Sequence, residues 1–181
     1  MKLTWFAGST MRIHVGGAIL VADAAGAPKA VEPRELVSGA DRVFVLAGAH
    51  DQLEAVDPAR WRPRPQRRAI DEPVAGEDEV RVLSLGPFAV LVDAPGEPPL
   101  ALLAGSGAPQ FGRWADDAVV VLFGAREAMV ATATVLLDVA RPRLIALAAD
   151  EADLDVVVEE IREHLDGAGL VSLEPGLAVE V

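Results

Sequence analysis

Few residues in this 181-residue chain can do acid–base, nucleophilic or metal chemistry, because it has three histidines and no cysteine. A catalytic zinc site takes three side-chain ligands, mostly imidazole, thiolate or carboxylate, that converge on one ion. His14, His50 and His164 are far apart in the sequence, and the lack of cysteine excludes thiolate ligands, cysteine nucleophiles and disulfides. A conventional zinc site built on histidine or cysteine is therefore not expected, and no cofactor is predicted.

Other catalytic and nucleotide-binding patterns are absent or weak. The sequence contains neither the Gly-x-x-x-x-Gly-Lys loop nor the Gly-x-Gly-x-x-Gly loop that cradle phosphates. The stretch Gly105-Ser106-Gly107 lacks the Gly-x-Ser-x-Gly spacing of a nucleophile elbow and is typical of a turn. Glu160 and His164, one helical turn apart, are typical of a solvated pair.

The composition predicts a folded, acidic protein. Hydrophobic residues make up 51% of the chain and the formal net charge is −12. That charge repels phosphate backbones and anionic lipid headgroups, so we expect neither nucleic-acid nor membrane binding. The apolar run Ala118–Ala125 is far shorter than the roughly 20 residues of a membrane span, and Ser9, Thr10 and Arg12 interrupt any signal-peptide core. The lack of cysteine permits a reducing compartment, and we expect a cytoplasmic protein.

One segment departs from the acidic composition. Five arginines fall within positions 60–68, and Pro63 and Pro65 favour an extended chain there. One interpretation is a site for an anion or an acidic partner protein. The other, which we favour, is a surface loop whose arginines pair with the acidic residues at 71–72 and 77–79. The residues of this candidate site are Arg60, Trp61, Arg62, Arg64, Arg67 and Arg68, with the tryptophan as anchor.

Hydrophobic patterning predicts strands in the first half of the chain and strands alternating with helices in the second. Helices are predicted over Ala125–Ala140 and Glu151–Asp166, the second with acidic residues in its first turn and Gly167 at its end. A final strand pair is predicted around Glu174-Pro175-Gly176. The predicted strands are Leu3–Phe6, Met11–Val15, Ala18–Ala22, Val43–Leu46, Val80–Ser84, Phe88–Val92, Leu100–Ala104, Ala118–Phe123, Leu144–Ala148, Leu170–Leu173 and Ala178–Val181.

This order of elements predicts an α+β fold. The first half supplies a largely antiparallel sheet, and the second half supplies strands that pack on helices. Both halves fit a two-sheet β-sandwich with outer helices, formed by residues 1–181 as a single domain.

Several segments, taken in order, are similar to the landmarks of one family. Residues 47–53, Ala-Gly-Ala-His-Asp-Gln-Leu, fall where that family carries Thr-His-x-His-x-Asp-His-Leu at the end of a strand and the start of a helix. The chain resembles the small metallo-β-lactamase-fold hydrolases, in the branch similar to ascorbate-phosphate lactonase. The resemblance implies the αββα sandwich of that family. The matching segments are residues 1–13, 19–23, 40–53, 103–107, 141–149 and 173–181.

The same resemblance puts the family's metal-ligand positions mostly on residues without donor groups. The early histidine of the family is Gly8 here, and the motif's first histidine and aspartate are Gly48 and Gln52. Its third histidine is Leu53 or deleted, and only His50 remains. Asp23 or Asp150 can supply a spare carboxylate, which favours weak, hydrated metal binding. The vacated metal-site positions are Gly8, Gly48, His50, Gln52, Ser106 (the bridging aspartate) and Ala149 (the last histidine).

Metal-dependent hydrolysis needs imidazoles and carboxylates that converge on one or two ions and activate a water molecule. The resemblance therefore implies a catalytically degenerate protein, a pseudoenzyme that binds a partner protein or a small ligand in the emptied cleft. The first alternative is a hydrolase with a remodelled active site, and the second is a structural subunit of a homo-oligomer. On all three hypotheses, Gly8, Gly48, His50, Ser106 and Ala149 are expected to lie together at one end of the sandwich.

Overall fold

In the computed structural model, the described residues are 1–46, 48, 50, 52–64, 79–105 and 107–181, and they form two β-sheets and three α-helices. The first sheet has the strand order β12-β1-β2-β3-β4, and the second has the order β11-β10-β9-β8-β7-β6-β5. The strands are β1 (Lys2–Ala7), β2 (Thr10–Val15), β3 (Ala18–Ala22), β4 (Arg42–Phe44), β5 (Glu54–Ala55), β6 (Arg81–Gly86), β7 (Ala89–Asp93), β8 (Leu100–Ala104), β9 (Val119–Phe123), β10 (Leu144–Ala148), β11 (Gly169–Ser172) and β12 (Ala178–Glu180), and the helices are α1 (Pro33–Leu36), α2 (Arg126–Val139) and α3 (Glu151–Ile161).

The first sheet is a β-meander extended at both edges. β1, β2 and β3 pair antiparallel, β12 adds antiparallel to β1, and β4 adds parallel to β3. The turn between β2 and β3 uses Gly16 and Gly17, both at positive φ, which suits the tight turns that match strand twist. The predicted largely antiparallel sheet is therefore confirmed.

The second sheet brings the carboxyl ends of its parallel strands to one edge. β8, β9 and β10 run parallel, and Ala104, Phe123 and Ala148 lie in register at their ends. Every residue of β8 and β9 is buried, as expected for strands covered on both faces.

Alternation along β9 divides the hydrophobic core in two. Val119, Val121 and Phe123 pack between the two sheets. Val120 and Leu122 pack on the opposite face, against residues of α2 and α3. The observed architecture is thus a two-sheet sandwich with outer helices, and the predicted α+β class is confirmed.

The predicted final strand pair is wrong. β11 pairs parallel with β10 in the second sheet, whereas β12 pairs antiparallel with β1 in the first. The intervening chain crosses the sandwich, with Leu173 buried between the sheets and the Gly176 amide donating to the Trp5 carbonyl at 2.7 Å. Local patterning indicates which segments form strands but not which strands pair. Here burial of Leu173 between the sheets separates the two strands, so they do not form a hairpin.

The chain around His50 also differs from the expectation of a strand followed by a helix. β4 ends at Phe44, and among described residues 52–64 the chain forms turns and the short strand β5, not a helix. The Leu53 amide closes one turn on the His50 carbonyl at 2.9 Å, and β5 then pairs with β6. The segment that the resemblance assigns to a helix therefore contributes the edge strand β5 to the second sheet.

The long helices match their predicted positions. α2 ends one residue inside its predicted bounds on each side, and α3 ends at Ile161, followed by a 3-10 turn over Arg162–His164. The short helix α1 was not predicted. No helix among the described residues is both long and apolar enough to cross a membrane.

Candidate functional site

His50 lies between the two sheets with both ring nitrogens engaged. Its Nδ1 atom lies 2.9 Å from the Ser84 hydroxyl oxygen, and its Nε2 atom lies 2.8 Å from the Leu46 carbonyl oxygen. Because a carbonyl only accepts hydrogen bonds, Nε2 carries a proton, and in the neutral ring Nδ1 accepts from the serine hydroxyl. The Gly86 amide lies 3.3 Å from the same hydroxyl oxygen and donates to it. No lone pair of the neutral imidazole is left for a metal ion.

Asp23, directly after β3, has both carboxylate oxygens engaged. Oδ2 accepts from the Ser9 hydroxyl, and Oδ1 accepts from the Leu46 amide at 2.8 Å. The residue sits at φ +46, a left-handed conformation that aspartate tolerates better than most residues. The Thr10 hydroxyl donates to the Asp23 carbonyl at 2.8 Å and fixes the backbone there.

These contacts form one continuous chain of hydrogen bonds from the first sheet to the second. Leu46 joins the two halves, because its amide donates to Asp23 while its carbonyl accepts from His50. We call Ser9, Asp23, Leu46, His50 and Ser84 the polar tie. Sequence reasoning did not find Ser84, although a lone hydroxyl in the buried strand β6 signals a polar partner.

The predicted metal-site positions fall on several different elements of the structure. Gly8 lies in the turn between β1 and β2, next to the polar tie, and its carbonyl accepts from the Trp5 indole at 2.9 Å. Gly48 and Gln52 flank His50 in the chain, and Gln52 is exposed. Ala149 packs in the cluster between the second sheet and the helices, away from the core between the sheets. Ser106 lies outside the described residues.

The donor set at this end of the sandwich does not fit a metal centre. Among the described residues, no group of three or more histidine, cysteine, aspartate or glutamate side chains could hold a metal ion. The two nearest donors, His50 and Asp23, already use their nitrogen and oxygen atoms in the polar tie. Gly8 and Gly48 offer no side-chain donors at all.

A cavity of about 460 Å³ lies at the same edge of the second sheet. Its wall is formed by the turn between β6 and β7 and by residues just beyond β8, with Pro87, Phe88 and Pro109 among them. The described lining residues carry no charged side chain. Phe88 is 42% exposed and sits at φ +62, a strained conformation of the kind found at ligand-binding sites.

A larger cavity of about 600 Å³ lies at the opposite end of the first sheet. Lys2, His14, Glu97 and Glu180 line it. Burial, followed by the nearby charges of Arg12 and Lys2, holds the pKa of His14 below its ordinary value of 6.5. None of the described residues that line this cavity belongs to the polar tie or to the vacated metal positions.

The arginine-rich segment splits into exposed and anchored residues. Arg60 and Arg62 are exposed, and Trp61 is half-buried edge-to-face against Trp114, with ring centroids 6.5 Å apart. Arg64 turns inward, and its Nε lies 2.8 Å from Oδ2 of the buried Asp93. Arg67 and Arg68, and all of the acidic residues predicted to pair with the segment except Glu79, lie outside the described residues.

No protein-family model matches this sequence, and no curated protein matches it either. A solved structure does match: that of Igni18, described as a novel metallo hydrolase from the hyperthermophilic archaeon Ignicoccus hospitalis KIN4/I. The TM-score is 0.53 at 11% sequence identity, over 99% of this chain and 98% of that one. The chain has a metallo-hydrolase-like fold. At so low an identity, the metallo-hydrolase-like fold carries over while the metal ligands and the reaction do not.

Proposed function

We propose that residues 1–181 form a single, catalytically silent domain of the metallo-β-lactamase type that binds a ligand or partner through its former metal-binding end. One observation carries this proposal: both ring nitrogens of His50 and both carboxylate oxygens of Asp23 make hydrogen bonds within the polar tie. A metal ion would have to displace one of the two His50 contacts and still find further ligands besides Asp23. A cytoplasmic location fits a chain without cysteine.

The polar tie supports a change of role from metal binding to structure. In a metal site, the ion itself cross-links loops from different strands, and its loss leaves buried donors without partners. Here hydrogen bonds among Ser9, Asp23, Leu46, His50 and Ser84 join the loops instead. The proposal therefore explains how the loops at this end of the sandwich are held together without a metal ion.

The apolar cavity beside β6 supplies the binding part of the proposal. It has room for a small molecule, and ligand pockets are commonly lined by apolar and aromatic side chains with a few polar groups. The strained, partly exposed Phe88 gives the cavity an aromatic wall. A ligand or a partner side chain of matching shape would bind here without any metal.

The remodelled hydrolase has one observation in its favour, the contact between His50 and Ser84. A serine hydroxyl bonded to an imidazole is the core of nucleophilic hydrolysis without metal. However, the Ser84 residue is only 6% exposed, and its oxygen also accepts from the Gly86 amide. A buried nucleophile of this kind is poorly accessible to an ester or amide substrate, so the binding function is preferred.

Metal content and hydrolysis together test the proposal. Purified protein is expected to hold well under one equivalent of zinc, manganese or iron by elemental analysis, and its melting temperature should not respond to added zinc or to EDTA. It should be inactive on generic phosphodiester, lactone and β-lactam substrates and on p-nitrophenyl acetate. The variants His50→Ala and Ser84→Ala serve as matched controls, since any background hydrolysis should be the same in both.

Two results would replace the proposal with the hydrolase. One is a stoichiometric metal ion lost in the His50→Ala variant, together with hydrolysis abolished by EDTA. The other is metal-independent esterase activity that disappears in both the His50→Ala and the Ser84→Ala variant while the fold is retained.

A further inference from the structure

Residues 57–64, which we call the strap, have no regular secondary structure beyond turns, yet they are fixed at both ends. At the first end, the buried Trp114 indole donates to the Pro58 carbonyl at 2.8 Å. Gly112 packs so tightly there that an added Cβ would lie 2.7 Å from the Pro58 oxygen. The first end of the strap is therefore held by a close backbone contact that only glycine permits.

The second end of the strap is held by Arg64. Its guanidinium lies 2.8 Å from the Asp93 carboxylate and donates to the Asp93 and Glu79 carbonyls at 2.8 and 3.0 Å. Asp93 is 4% exposed, so this ion pair is shielded from solvent. This partly buried ion pair joins an irregular segment to β7 and holds the second end of the strap.

Between these anchors the strap presents charge to solvent. Arg60 and Arg62 are exposed, and Arg113 is exposed on the neighbouring segment, whose Gly112 touches the strap backbone. Among the described residues, the acid paired with this set is Asp57, at 3.6 Å from Arg60, with both side chains more than half exposed. Such a pair contributes little. Arg62 donates through Nη1 to the Ala59 and Trp61 carbonyls, which carry no charge. Within the part of the chain that the structure describes, no buried acid therefore neutralises the three arginines.

Aromatic rings border the same surface. Trp61 and Phe111 are both half-buried, and both pack on Trp114, with centroid separations of 6.5 and 6.0 Å. Arginine and tryptophan are the residues most enriched among energetically dominant interface contacts. Because both ends of the strap are anchored, binding removes less backbone entropy than it would from a free loop.

We propose that Arg60, Arg62 and Arg113, the arginine patch, together with Trp61 and Phe111 form a docking surface for an acidic segment of a partner protein. Guanidinium groups form bidentate hydrogen bonds with carboxylates. The partly exposed rings of Trp61 and Phe111 can pack against apolar side chains that lie between the acidic residues of the partner. This surface is distinct from the polar tie and from the cavity, so the proposal does not depend on the proposed function.

Charge selects a protein partner over a nucleic acid. The chain has a net charge of −12 with these arginines included, so a long phosphate backbone would be repelled wherever it left the patch. A short acidic segment covers only the patch and the aromatic rings. Long-range repulsion therefore limits the partner to a compact, local cluster of carboxylates.

A synthetic twelve-residue peptide of four Glu-Glu-Leu repeats, labelled with fluorescein, tests the proposal by fluorescence anisotropy on the full chain. Binding is expected at 50 mM NaCl and at least tenfold weaker binding at 300 mM. The triple variant Arg60→Ala/Arg62→Ala/Arg113→Ala should weaken binding at least tenfold at 50 mM. The matched control is Arg34→Ala/Arg143→Ala/Arg162→Ala, which removes three exposed arginines elsewhere and changes net charge equally.

The comparison of the two triple variants decides the outcome, with folding of both checked by circular dichroism. Equal loss of binding in both, or in neither, would overturn the proposal, because net charge or another surface would then be responsible. A twelve-nucleotide RNA that displaces the peptide and binds the patch more tightly would overturn it in favour of a nucleic acid. Self-association of the chain that the patch variant abolishes would overturn it in favour of a second copy.

Discussion

The Nδ1 atom of His50 lies 2.9 Å from the hydroxyl oxygen of Ser84. A residue that follows the edge strand β4 of the first sheet is therefore hydrogen-bonded to strand β6 of the second. The two residues are 34 positions apart in the chain. Because the Nε2 atom is bonded to Leu46, the ring is fixed at two points and links the sheets at the end that the resemblance assigns to a metal. His50 is thereby a structural cross-link, which has direct consequences for stability.

Replacing His50 with alanine should destabilise the fold. The change leaves the Leu46 carbonyl without its side-chain partner and the Ser84 hydroxyl with only its contacts to Gly86. A buried polar group without a partner costs about 1–3 kcal/mol. Urea denaturation measures the loss in the free energy of unfolding. His164→Ala is the control, because His164 is exposed and its loss should change stability by less than about 0.5 kcal/mol. Equal stabilities of the two variants would contradict the cross-link.

Asp23 allows a test that separates a structural role from a metal-binding one. Asparagine keeps an acceptor for the Leu46 amide and tolerates the left-handed backbone, so Asp23→Asn should cost less than about 1 kcal/mol. Alanine loses both contacts and is strained at φ +46, so Asp23→Ala should cost about 2 kcal/mol or more. Thermal denaturation of both variants, with and without zinc, measures the difference. A zinc response in the wild type that Asp23→Asn removes would identify Asp23 as a metal ligand instead.

Local patterning was enough to find most strands. Ala18–Ala22, Leu100–Ala104 and Leu144–Ala148 have their predicted bounds, because glycine or proline turns and continuous apolar runs mark both ends. The partners of β11 and β12 were not predictable, since burial of Leu173 between the sheets decides their pairing. Strand propensity is local, whereas strand pairing depends on the whole core.

The candidate site was less predictable than the fold for the same reason. Sequence reasoning singled out His50 but not its contact with Ser84, which only the packing of the two sheets creates. It also assigned Arg64 to an exposed basic segment, whereas the structure pairs it with the buried Asp93. Residue type indicates what a side chain can bond to, but a partner 29 positions away is set by tertiary structure.

The ion pair of Arg64 and Asp93 should be worth more than an exposed one. Asp93→Asn leaves the partly buried guanidinium facing a neutral amide, and removing the charge that faces a group in such surroundings costs about 1–3 kcal/mol. The exposed pair of Arg81 and Glu54 provides the control, since Glu54→Gln should cost at most about 1 kcal/mol. Urea denaturation at low and at high salt measures both variants. A larger loss in Glu54→Gln would show that Asp93 does not hold the strap.

Gly112 should resist even the smallest side chain. A Cβ atom there would lie 2.7 Å from the Pro58 carbonyl oxygen and 3.2 Å from that of Ala59, so Gly112→Ala must displace the strap. Overpacking of this kind costs about 1–3 kcal/mol, and a shift of the Trp61 environment should appear in the tryptophan fluorescence. Gly107→Ala is the control, because its Cβ would meet nothing within 4 Å. Similar melting temperatures for the two variants would mean that the strap is not held at Pro58.

His14 should make stability depend on pH. Burial and the charges of Arg12 and Lys2 hold its pKa below the ordinary value of 6.5, although Glu97 and Glu180 line the same cavity. The Arg12 Nε atom also donates to the neutral ring at 3.4 Å. Because the folded state binds this proton less readily than the unfolded state, the unfolded state takes up more protons as the pH falls below 6.5. The free energy of unfolding therefore decreases from that pH down through the folded pKa, and the contribution of His14 is fully present above 6.5.

A neutral replacement should remove this dependence. In urea denaturation at a series of pH values between about 7.5 and 5, the wild type should lose more stability on acidification than His14→Gln, because glutamine has no proton to gain. His164→Gln should follow the wild type, as a control for the loss of a histidine. Parallel curves for wild type and His14→Gln would show that the imidazole binds its proton equally well in both states. A steeper loss in His14→Gln would mean that Glu97 and Glu180 stabilise the imidazolium more than Arg12, Lys2 and burial oppose it.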